Sequence, residues 1–303
     1  MAIVKRADGT SIVLGFPDYR EPARRVAAKA DIAYADIAVH RFPDGESLVK
    51  LPESLPADVI LYTSLDDANR RLIELELAAA TAPQLGAERL TLIAPYLCYM
   101  RQDIAFHRGE AVSQRIVGAL LARHLDTLIT VDPHLHRTDR LADAVPVRRA
   151  VALSAAPIIA NWLADRAHGQ LLIGPDEESE QWVSAIAAPG GFDYGVARKE
   201  RRGDDDVHVT LPDCRYAGRD VILVDDVAST GHTLAEAAQQ IAARGAASVS
   251  VIVSHALFAG DAFAYLQSVG VADICSTDSI PHQSNRLRLD SILANALDET
   301  DAT

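Results

Sequence analysis

The sequence has few cysteines, no long apolar run and little positive charge. Its three cysteines, Cys98, Cys214 and Cys275, are too few and too scattered for a disulfide scaffold or a zinc site, which is expected of a protein in the reducing cytoplasm. No segment approaches the roughly 20 apolar residues that cross a bilayer, and no signal peptide is expected at the start. The net charge of −13 argues against a general affinity for nucleic acid or anionic membranes.

Length and patterning predict two α/β domains. The chain has 303 residues, 49% of them hydrophobic and 23% charged, as in globular proteins large enough for two cores. Apolar runs predict strands over 12–15, 59–63, 90–94, 127–131, 170–173, 221–224, 248–253 and 274–276. Helical periodicity covers 21–29, 70–82, 113–125, 157–166, 181–188, 234–244 and 261–269. This alternation predicts mainly parallel sheets with helices on both faces.

The two halves of the chain also resemble each other. Residues 128–134 and 221–227 each read as an apolar strand that ends in an acidic residue. We therefore expect two related domains, 1–148 and 149–303, joined near Val145-Pro146-Val147. Residues 189–213 lack strong periodicity, and they predict a long mobile loop or hairpin, flexible over about 194–210, of the kind that closes over a site.

The most informative segment is 221–234, where four apolar residues precede Asp225 and Asp226. The loop and helix start that follow contain Ser229, Thr230, Gly231, His232 and Thr233. Backbone N–H groups and hydroxyls there can face an anion at a helix N-terminus, while two carboxylates suit a ribose diol or a phosphate-bound Mg²⁺. The lysine-containing phosphate loop is absent, since no Gly-Lys-Ser/Thr follows the strand. The alternative is an ordinary strand, turn and helix with a threonine cap.

A second cluster lies in residues 40–46. Phe42 can stack on a base, and Asp44 or Glu46 can accept a hydrogen bond from a base or a ribose. A solvated turn built on Pro-Asp-Gly accounts for the same residues equally well. The cluster alone therefore leaves a nucleotide site and a plain turn both open.

Three more clusters follow predicted strands. Arg101 and Gln102 come after the strand at 90–94, and Arg101 suits a phosphate or, alternatively, a surface ion pair with Asp103. His134 follows the strand at 127–131 and could bind a metal, although a lone histidine is more often simply hydrogen-bonded. Asp176 follows the strand at 170–173 with the same ambiguity.

Together these clusters predict one chemistry. All except 40–46 lie at or after strand ends, so they share one rim of a sheet. Arg101, Lys199 and Arg201 supply cations, the paired aspartates supply carboxylates, and His134 is a possible metal ligand. Those are the components of a metal-assisted phosphoryl-transfer site, in which positioning and charge neutralisation do most of the catalysis.

In this order, the clusters resemble the motifs of the ribose-phosphate diphosphokinases, the synthetases of phosphoribosyl diphosphate. The matching segments are Arg41-Phe42-Pro43-Asp44-Gly45-Glu46, Pro95-Tyr96 with Arg101-Gln102-Asp103, Asp132-Pro133-His134, Lys199-Glu200-Arg201, 221–234 and Thr277-Asp278-Ser279-Ile280. They span nearly the whole chain, and two of them, 199–201 and 229–231, are closer to archaeal-type members. The resemblance implies two similar phosphoribosyltransferase-type domains.

The resemblance also implies an activity and a role for each motif. The anomeric hydroxyl of ribose 5-phosphate would attack the β-phosphorus of Mg-ATP, and AMP would leave. Lys199 and Arg201 would be catalytic, and His134 and Asp176 would hold Mg²⁺. ATP would be bound by Phe42, Asp44, Glu46, Arg101, Gln102 and Asp103. Ribose 5-phosphate would be bound by Asp225, Asp226, Ser229, Thr230, Gly231, His232 and Thr233. A homo-oligomer, dimer or higher, is implied, with the ATP site near a subunit boundary.

Two departures from the motifs keep alternatives open. Glu177-Glu178-Ser179 follows Asp176 where the family usually has x-Gly-Gly or x-Gly-Ala, and the two glutamates add negative charge beside an anionic substrate, while Ile104 replaces a common arginine. A catalytically silent regulatory relative fits the two glutamates but not the retained Lys199 and Arg201. A phosphoribosyltransferase would need the 221–234 motif but no ATP pocket. An enzyme that acts on a related sugar phosphate is the third alternative.

Overall fold

The computed structural model describes residues 10–166, 169–201 and 207–298, and the side chains at 199–201, 207, 208 and 298 lie outside this description. The chain forms two compact units, one of Met1–Leu153 with Leu289–Thr303 and one of Ser154–Arg288. Within the described ranges, no helix has the length and apolarity that a membrane span requires.

The first unit is built on a six-stranded parallel sheet in the order β2-β1-β5-β6-β7-β8. Its strands are β1 (Ser11–Gly15), β2 (Ala33–Asp36), β5 (Asp58–Tyr62), β6 (Arg89–Ile93), β7 (Thr127–Val131) and β8 (Arg149–Leu153). A separate antiparallel hairpin is formed by β3 (Ala38–Arg41) and β4 (Ser47–Lys50). The helices of this unit are α1 (Arg20–Ala30), α2 (Ala68–Thr81), α3 (Ser113–Leu121) and α4 (Leu141–Ala144), with short 3-10 turns at Pro17–Tyr19 and Ala82–Leu85.

The second unit repeats this plan with the strand order β10-β9-β13-β14-β15-β16. Its parallel strands are β9 (Leu171–Gly174), β10 (Asp193–Val196), β13 (Asp220–Ala228), β14 (Ser248–Ala256), β15 (Asp273–Thr277) and β16 (Asn285–Leu287). The hairpin is formed by β11 (Arg198–Arg201) and β12 (Val207–Thr210). The helices are α5 (Ala156–Ala164), α6 (Glu180–Gly190), α7 (His232–Ala243) and α8 (Ala262–Ser268), with a 3-10 turn at Glu177–Ser179.

The central strands of both sheets are covered on both faces. Every residue from Val59 to Tyr62 in β5 and from Val221 to Val224 in β13 is buried, although neighbouring residues of a strand point to opposite sides. Continuous apolar strands of this kind form where helices pack on both faces of a parallel sheet. The predicted fold class is therefore confirmed.

All eight predicted strands are present, and six further strands were missed. They are the four edge strands of the two sheets, β2, β8, β10 and β16, and the hairpin strands β3 and β4. In β2 and β10 the described residues are exposed or half-buried, so no apolar run marks them in the sequence. Two central strands are longer than predicted: β13 continues through the two aspartates, and β14 reaches Ala256.

The division into units differs from the expected boundary at residue 148. Strand β8 pairs with β7 and so completes the first sheet. The C-terminal helix α9 (Asp290–Asp298) also belongs to the first unit, where Lys29 donates a 2.6 Å hydrogen bond to Ser291 and the Asp290 carboxylate lies 3.8 Å from the amino group of Lys29. A contact between residues 262 positions apart leaves no signal in local periodicity, so the sequence could not reveal it.

Candidate active site

Two aspartates lie in the second unit near the carboxyl end of β13. Asp226 is 2% exposed and Asp225 is half-buried, and the Asp226 backbone N–H donates a 3.0 Å hydrogen bond to the Asp225 carboxylate. Burial, together with the charges of Asp226 and Asp176, raises the pKa of Asp225 well above its usual value. The cluster therefore has a strong negative potential that a cation would relieve.

Asp176 lies just beyond the end of β9, the strand that pairs with β13. Its carboxylate accepts a 3.3 Å hydrogen bond from the Ser179 backbone N–H, and the Ser179 hydroxyl donates a 2.5 Å bond to the Asp176 carbonyl. This capping box fixes the turn that leads into α6. Glu177 and Glu178, which depart from the family motif, are exposed on the same turn.

The loop after β13 is held in a shape that exposes a helix N-terminus. The Ala259 N–H donates a 3.0 Å bond to the Ser229 carbonyl, and Gly231, with φ of +76°, is the residue that precedes α7. The helix thus begins after a left-handed glycine rather than after the threonine cap of the alternative interpretation. The first backbone N–H groups of α7, from His232 and Thr233 onward, have no partner within the helix and can bind an anion.

The predicted catalytic residues lie on the second hairpin. The backbones of Lys199 and Arg201 belong to β11 and pair with Val209 and Val207 of β12. Their side chains lie outside the described part of the structure. The segment predicted to be a loop or hairpin thus contains a hairpin.

The first unit carries the predicted ATP residues, three of them at the tip of the β3–β4 hairpin. The Phe42 N–H donates a 2.8 Å bond to the Glu46 carbonyl, and the Glu46 N–H donates a 3.2 Å bond to the Asp44 carboxylate. Gly45 has φ of +94°, which a side chain would strain. Phe42 is 40% exposed and is available to stack on a ring.

The hairpin is attached to α2 through a buried glutamate that the sequence analysis missed. Glu74 is fully buried and accepts hydrogen bonds from Arg41 (3.0 Å), Arg70 (3.2 Å) and Ser47 (3.2 Å). The Glu74 bond raises the pKa of Arg41. Arg41, the first residue of the hairpin motif, therefore attaches the hairpin to α2.

Asp18 extends this attachment to the turn after β1. It accepts bonds from Arg41 (3.2 Å) and from Arg71 (2.7 Å). Partial burial raises the pKa of Asp18, but the charges and hydrogen bonds of the two arginines outweigh that effect, and the pKa is lowered. The hairpin, α2 and the turn after β1 are therefore joined by ionic hydrogen bonds.

Residues 101–103 have three different environments. Arg101 is exposed, whereas the Gln102 side chain accepts a 3.0 Å bond from the Ser113 hydroxyl at the start of α3. Asp103 is buried and accepts bonds from Arg137 through its backbone N–H (3.0 Å) and guanidinium (2.9 Å). Burial raises the pKa of Asp103, but the bonds from Arg137 lower it overall. The ion-pair partner of Asp103 is therefore Arg137 rather than Arg101. The contact of Asp103 with ATP stays a prediction.

His134 lies on the loop that follows β7. Its Nε2 is 3.0 Å from the Nε2 of His136, and the two ring planes are nearly perpendicular. The sequence analysis singled out His134 but not His136. A histidine two positions away in a loop has no periodic signal that would identify it as a neighbour.

Two family models match the chain in sequence order. The N-terminal domain of ribose phosphate pyrophosphokinase matches residues 12–124, and the phosphoribosyl transferase domain matches residues 138–268. A ribose-phosphate pyrophosphokinase of Methanopyrus kandleri is 33% identical over 290 residues, which make up 95% of this chain and 98% of that protein. The chain belongs to the ribose-phosphate pyrophosphokinase family.

Other members of the family agree with this assignment. The ribose-phosphate pyrophosphokinase of Sulfolobus acidocaldarius is 34% identical over 253 residues, 82% of this chain and 86% of that protein. The crystal structure of phosphoribosylpyrophosphate synthetase from Mycobacterium smegmatis has a TM-score of 0.82, covering 96% of this chain and 99% of that chain at 23% identity, and so shares the fold. The predicted resemblance to the diphosphokinases is confirmed, and the chain is an enzyme of this family.

Proposed function

We propose that the chain transfers the β,γ-diphosphoryl group of Mg-ATP to the anomeric hydroxyl of ribose 5-phosphate, giving 5-phosphoribosyl 1-diphosphate and AMP. The observation that carries the proposal is one arrangement in the second unit: the exposed N-terminus of α7 lies directly after a strand that ends in two aspartates. An anion cradle beside carboxylates is what a phosphorylated sugar with a free diol requires.

The ribose 5-phosphate end of the reaction is assigned to the second unit. The 5-phosphate would bind to Ser229, Thr230 and the N–H groups at the start of α7, where Gly231 allows close approach of the backbone. Asp225 and Asp226 would accept hydrogen bonds from the ribose hydroxyls. The bond between Ser229 and Ala259 supports this assignment, because a fixed loop loses little entropy on binding.

The ATP end is assigned to the first unit. Adenine would stack on Phe42, while Asp44 and Glu46 would accept hydrogen bonds from the base or the ribose. Arg101 and Gln102 would contact the phosphate chain. The exposure of Phe42 and Arg101 supports this, since both side chains are accessible to a ligand.

Mg²⁺ fits the acidic rim of the second unit. Asp176 and Asp225 offer oxygen ligands, and the pKa of Asp225 is raised first by burial and then by the charges of Asp226 and Asp176, both of which a bound divalent cation would offset. Asp176 is the proposed metal-holding residue of this unit, and His134, on the loop after β7, is the metal-holding residue proposed for the first unit. When bound, the ion would neutralise charge on the diphosphoryl oxygens.

The hairpin of β11 and β12 is proposed to supply the catalytic cations. Lys199 and Arg201 would approach the diphosphoryl group as the bond from the sugar oxygen to the β-phosphorus forms and the bond to AMP breaks. Their charge would stabilise the transition state more than the bound substrates, which is how a cation accelerates phosphoryl transfer.

The active form is proposed to be a homo-oligomer, a dimer or higher. Leu48, Ile73 and Leu77 are large apolar residues between 41% and 60% exposed on β4 and α2, and Phe42 is exposed on the same hairpin. Apolar side chains exposed together on one region of a fold are typical of a contact surface. This supports an ATP site near a subunit boundary.

A related sugar phosphate is the second candidate substrate. The exposed Glu177 and Glu178 add two negative charges next to Asp176, and these charges disfavour an anionic substrate unless a cation neutralises them.

The direct test of the proposal is an assay of purified protein with Mg-ATP and ribose 5-phosphate. AMP and phosphoribosyl diphosphate should appear in equal amounts. If neither product forms with ribose 5-phosphate but AMP forms with another pentose phosphate, the second candidate replaces the first. If no AMP forms with any pentose phosphate while ATP still binds, the chain is a silent relative.

A further inference from the structure

Two histidines on the loop after β7 bring their ring nitrogens together. The Nε2 atoms of His134 and His136 are 3.0 Å apart, their ring centres are 4.5 Å apart, and the ring planes are inclined by 81°. His134 is half-buried and His136 is exposed, so the pair is accessible from solvent. Only His134 belongs to the motif that resembles the family's.

These distances match two imidazoles in neighbouring positions around one octahedral ion. With metal–nitrogen bonds of about 2.1 Å at a right angle, the nitrogens lie about 3.0 Å apart and the ring centres about 4.6 Å apart. A tetrahedral angle would increase these to about 3.4 Å and about 5.3 Å. A straight N–H···N hydrogen bond would also separate the ring centres by about 5.3 Å. The observed pair of distances fits the right-angled arrangement.

The loop that carries the histidines is fixed at both ends. Before the pair, the buried Asp132 has φ of +38°, and its N–H donates a 2.9 Å bond to the Leu153 carbonyl of β8. After the pair, Arg137 is bonded to the buried Asp103 through both backbone and side chain. The two histidines thus lie between two fixed residues, and little conformational entropy is lost when an ion binds.

We propose that His134 and His136 together bind a divalent first-row transition ion, with His136 as the residue that sets the preference over Mg²⁺. Two imidazole nitrogens suit Fe²⁺ and Ni²⁺, whereas Mg²⁺ prefers oxygen ligands and gives up its waters reluctantly. The remaining positions of the octahedron would hold water or phosphate oxygens. The inference rests on the proposed function for the role of the bound ion, but binding itself can be measured without turnover.

The test is a calorimetric titration of the untagged, full-length protein with Ni²⁺ in the presence of excess Mg²⁺. Nickel is the probe because its affinity for nitrogen ligands is high in this series, and excess Mg²⁺ competes for any site that does not prefer the transition ion. The wild type should bind one equivalent of Ni²⁺. His136→Asn should weaken that binding at least tenfold, as should His134→Asn. The matched control is His107→Asn, because His107 is exposed and bonds to Glu110 in another loop.

Two results would overturn the inference. One is that His136→Asn, with an unchanged circular dichroism spectrum, binds Ni²⁺ as tightly as the wild type. The other is that excess Mg²⁺ abolishes Ni²⁺ uptake by the wild type, which would contradict the preference over Mg²⁺ that His136 is proposed to set. The proposed function fails separately: Ni²⁺ uptake without any formation of phosphoribosyl diphosphate would contradict that function and leave the histidine site intact.

Discussion

The Nε of Arg41 donates a 3.0 Å hydrogen bond to the fully buried carboxylate of Glu74. Arg41 begins the hairpin tip that carries Phe42, Asp44 and Glu46, and Glu74 lies on α2. The bond therefore connects a rigid helix to an exposed segment whose residues are proposed to bind ATP. In this way a helix residue with no ligand contact can determine where those side chains are positioned.

Glu74→Gln should loosen the hairpin. Two partly exposed arginines would lose their common anion, and loss of a hydrogen-bond partner at a buried position costs about 1–3 kcal/mol. We expect the KM for ATP to rise about tenfold or more while kcat changes little. Amide hydrogen exchange over residues 38–50 should accelerate. Glu76→Gln is the control, because Glu76 lies on the same helix and pairs with His124 and Arg123 instead. Equal effects of the two substitutions would contradict a positioning role.

Phe42→Ala should weaken ATP use through lost stacking. An aromatic contact contributes about 0.5–1.5 kcal/mol beyond its area, so the KM for ATP should rise up to about tenfold. The KM for ribose 5-phosphate should stay unchanged. Lys50→Ala tests the same hairpin at an exposed residue that has no proposed ligand or subunit contact. If ribose 5-phosphate and ATP were affected equally, the assignment of Phe42 to the ATP site would be wrong.

Lys199→Ala should lower kcat by about two to three orders of magnitude, as is typical when a group that stabilises transition-state charge is removed. The circular dichroism spectrum and the melting temperature should change little. Lys50→Ala, on an exposed residue of the first hairpin, is the matched control. Unchanged turnover in Lys199→Ala would contradict the catalytic assignment of the second hairpin.

Asp225→Asn should stabilise the metal-free protein at neutral pH while it impairs catalysis. The folded-state pKa of Asp225 is raised, chiefly by burial and by Asp226 and Asp176. The folded state therefore binds the proton of Asp225 more tightly than the unfolded state does, and this tighter binding stabilises the fold at low pH. The stabilisation is lost as the pH rises from the unfolded-state pKa of 3.8 through the folded-state pKa. Asparagine carries no charge, so the variant does not suffer this destabilisation at neutral pH. Its Tm at pH 7 should therefore be higher, by about 2–4 °C for each kcal/mol of unfolding free energy gained.

The gain in Tm should disappear below the unfolded pKa, where the wild-type carboxyl is protonated in both states. It should also shrink when Mg²⁺ is added, because the cation neutralises the cluster in the wild type. Asp220→Asn, at the exposed amino end of the same strand, should give no gain. Thermal melts across pH in chelator measure this directly, and a lower Tm for Asp225→Asn at pH 7 would argue against carboxylate repulsion.

The sequence predicted the centre of each sheet well and the edges poorly. Residues 127–131 match β7 at both ends because that strand is buried on both faces and so is continuously apolar. Strand β10 (Asp193–Val196) is exposed or half-buried, and no apolar run identifies it. The helix at 290–298 could be assigned to the first unit only from its contacts with Lys29.

The residues of the candidate site also fall into those that the sequence could identify and those that only the fold reveals. Motif residues such as Phe42, Asp225 and Gly231 could be identified because their types and spacing are unusual for packing. Glu74 could not, because in the sequence it is one of many charged residues of a helix, and only the fold buries it against Arg41 and Ser47. His136 was missed because neighbouring ring nitrogens are a property of loop conformation and not of spacing.

The central claim is that the β-phosphorus of ATP is transferred to the sugar together with the γ-phosphoryl group. The most direct measurement uses ATP labelled with ³²P at the β-position, ribose 5-phosphate and purified protein, with Lys199→Ala as the blank. The account predicts that the label appears in phosphoribosyl diphosphate and that the AMP is unlabelled. Label that appears in ADP would show transfer of a single phosphoryl group and would contradict the account.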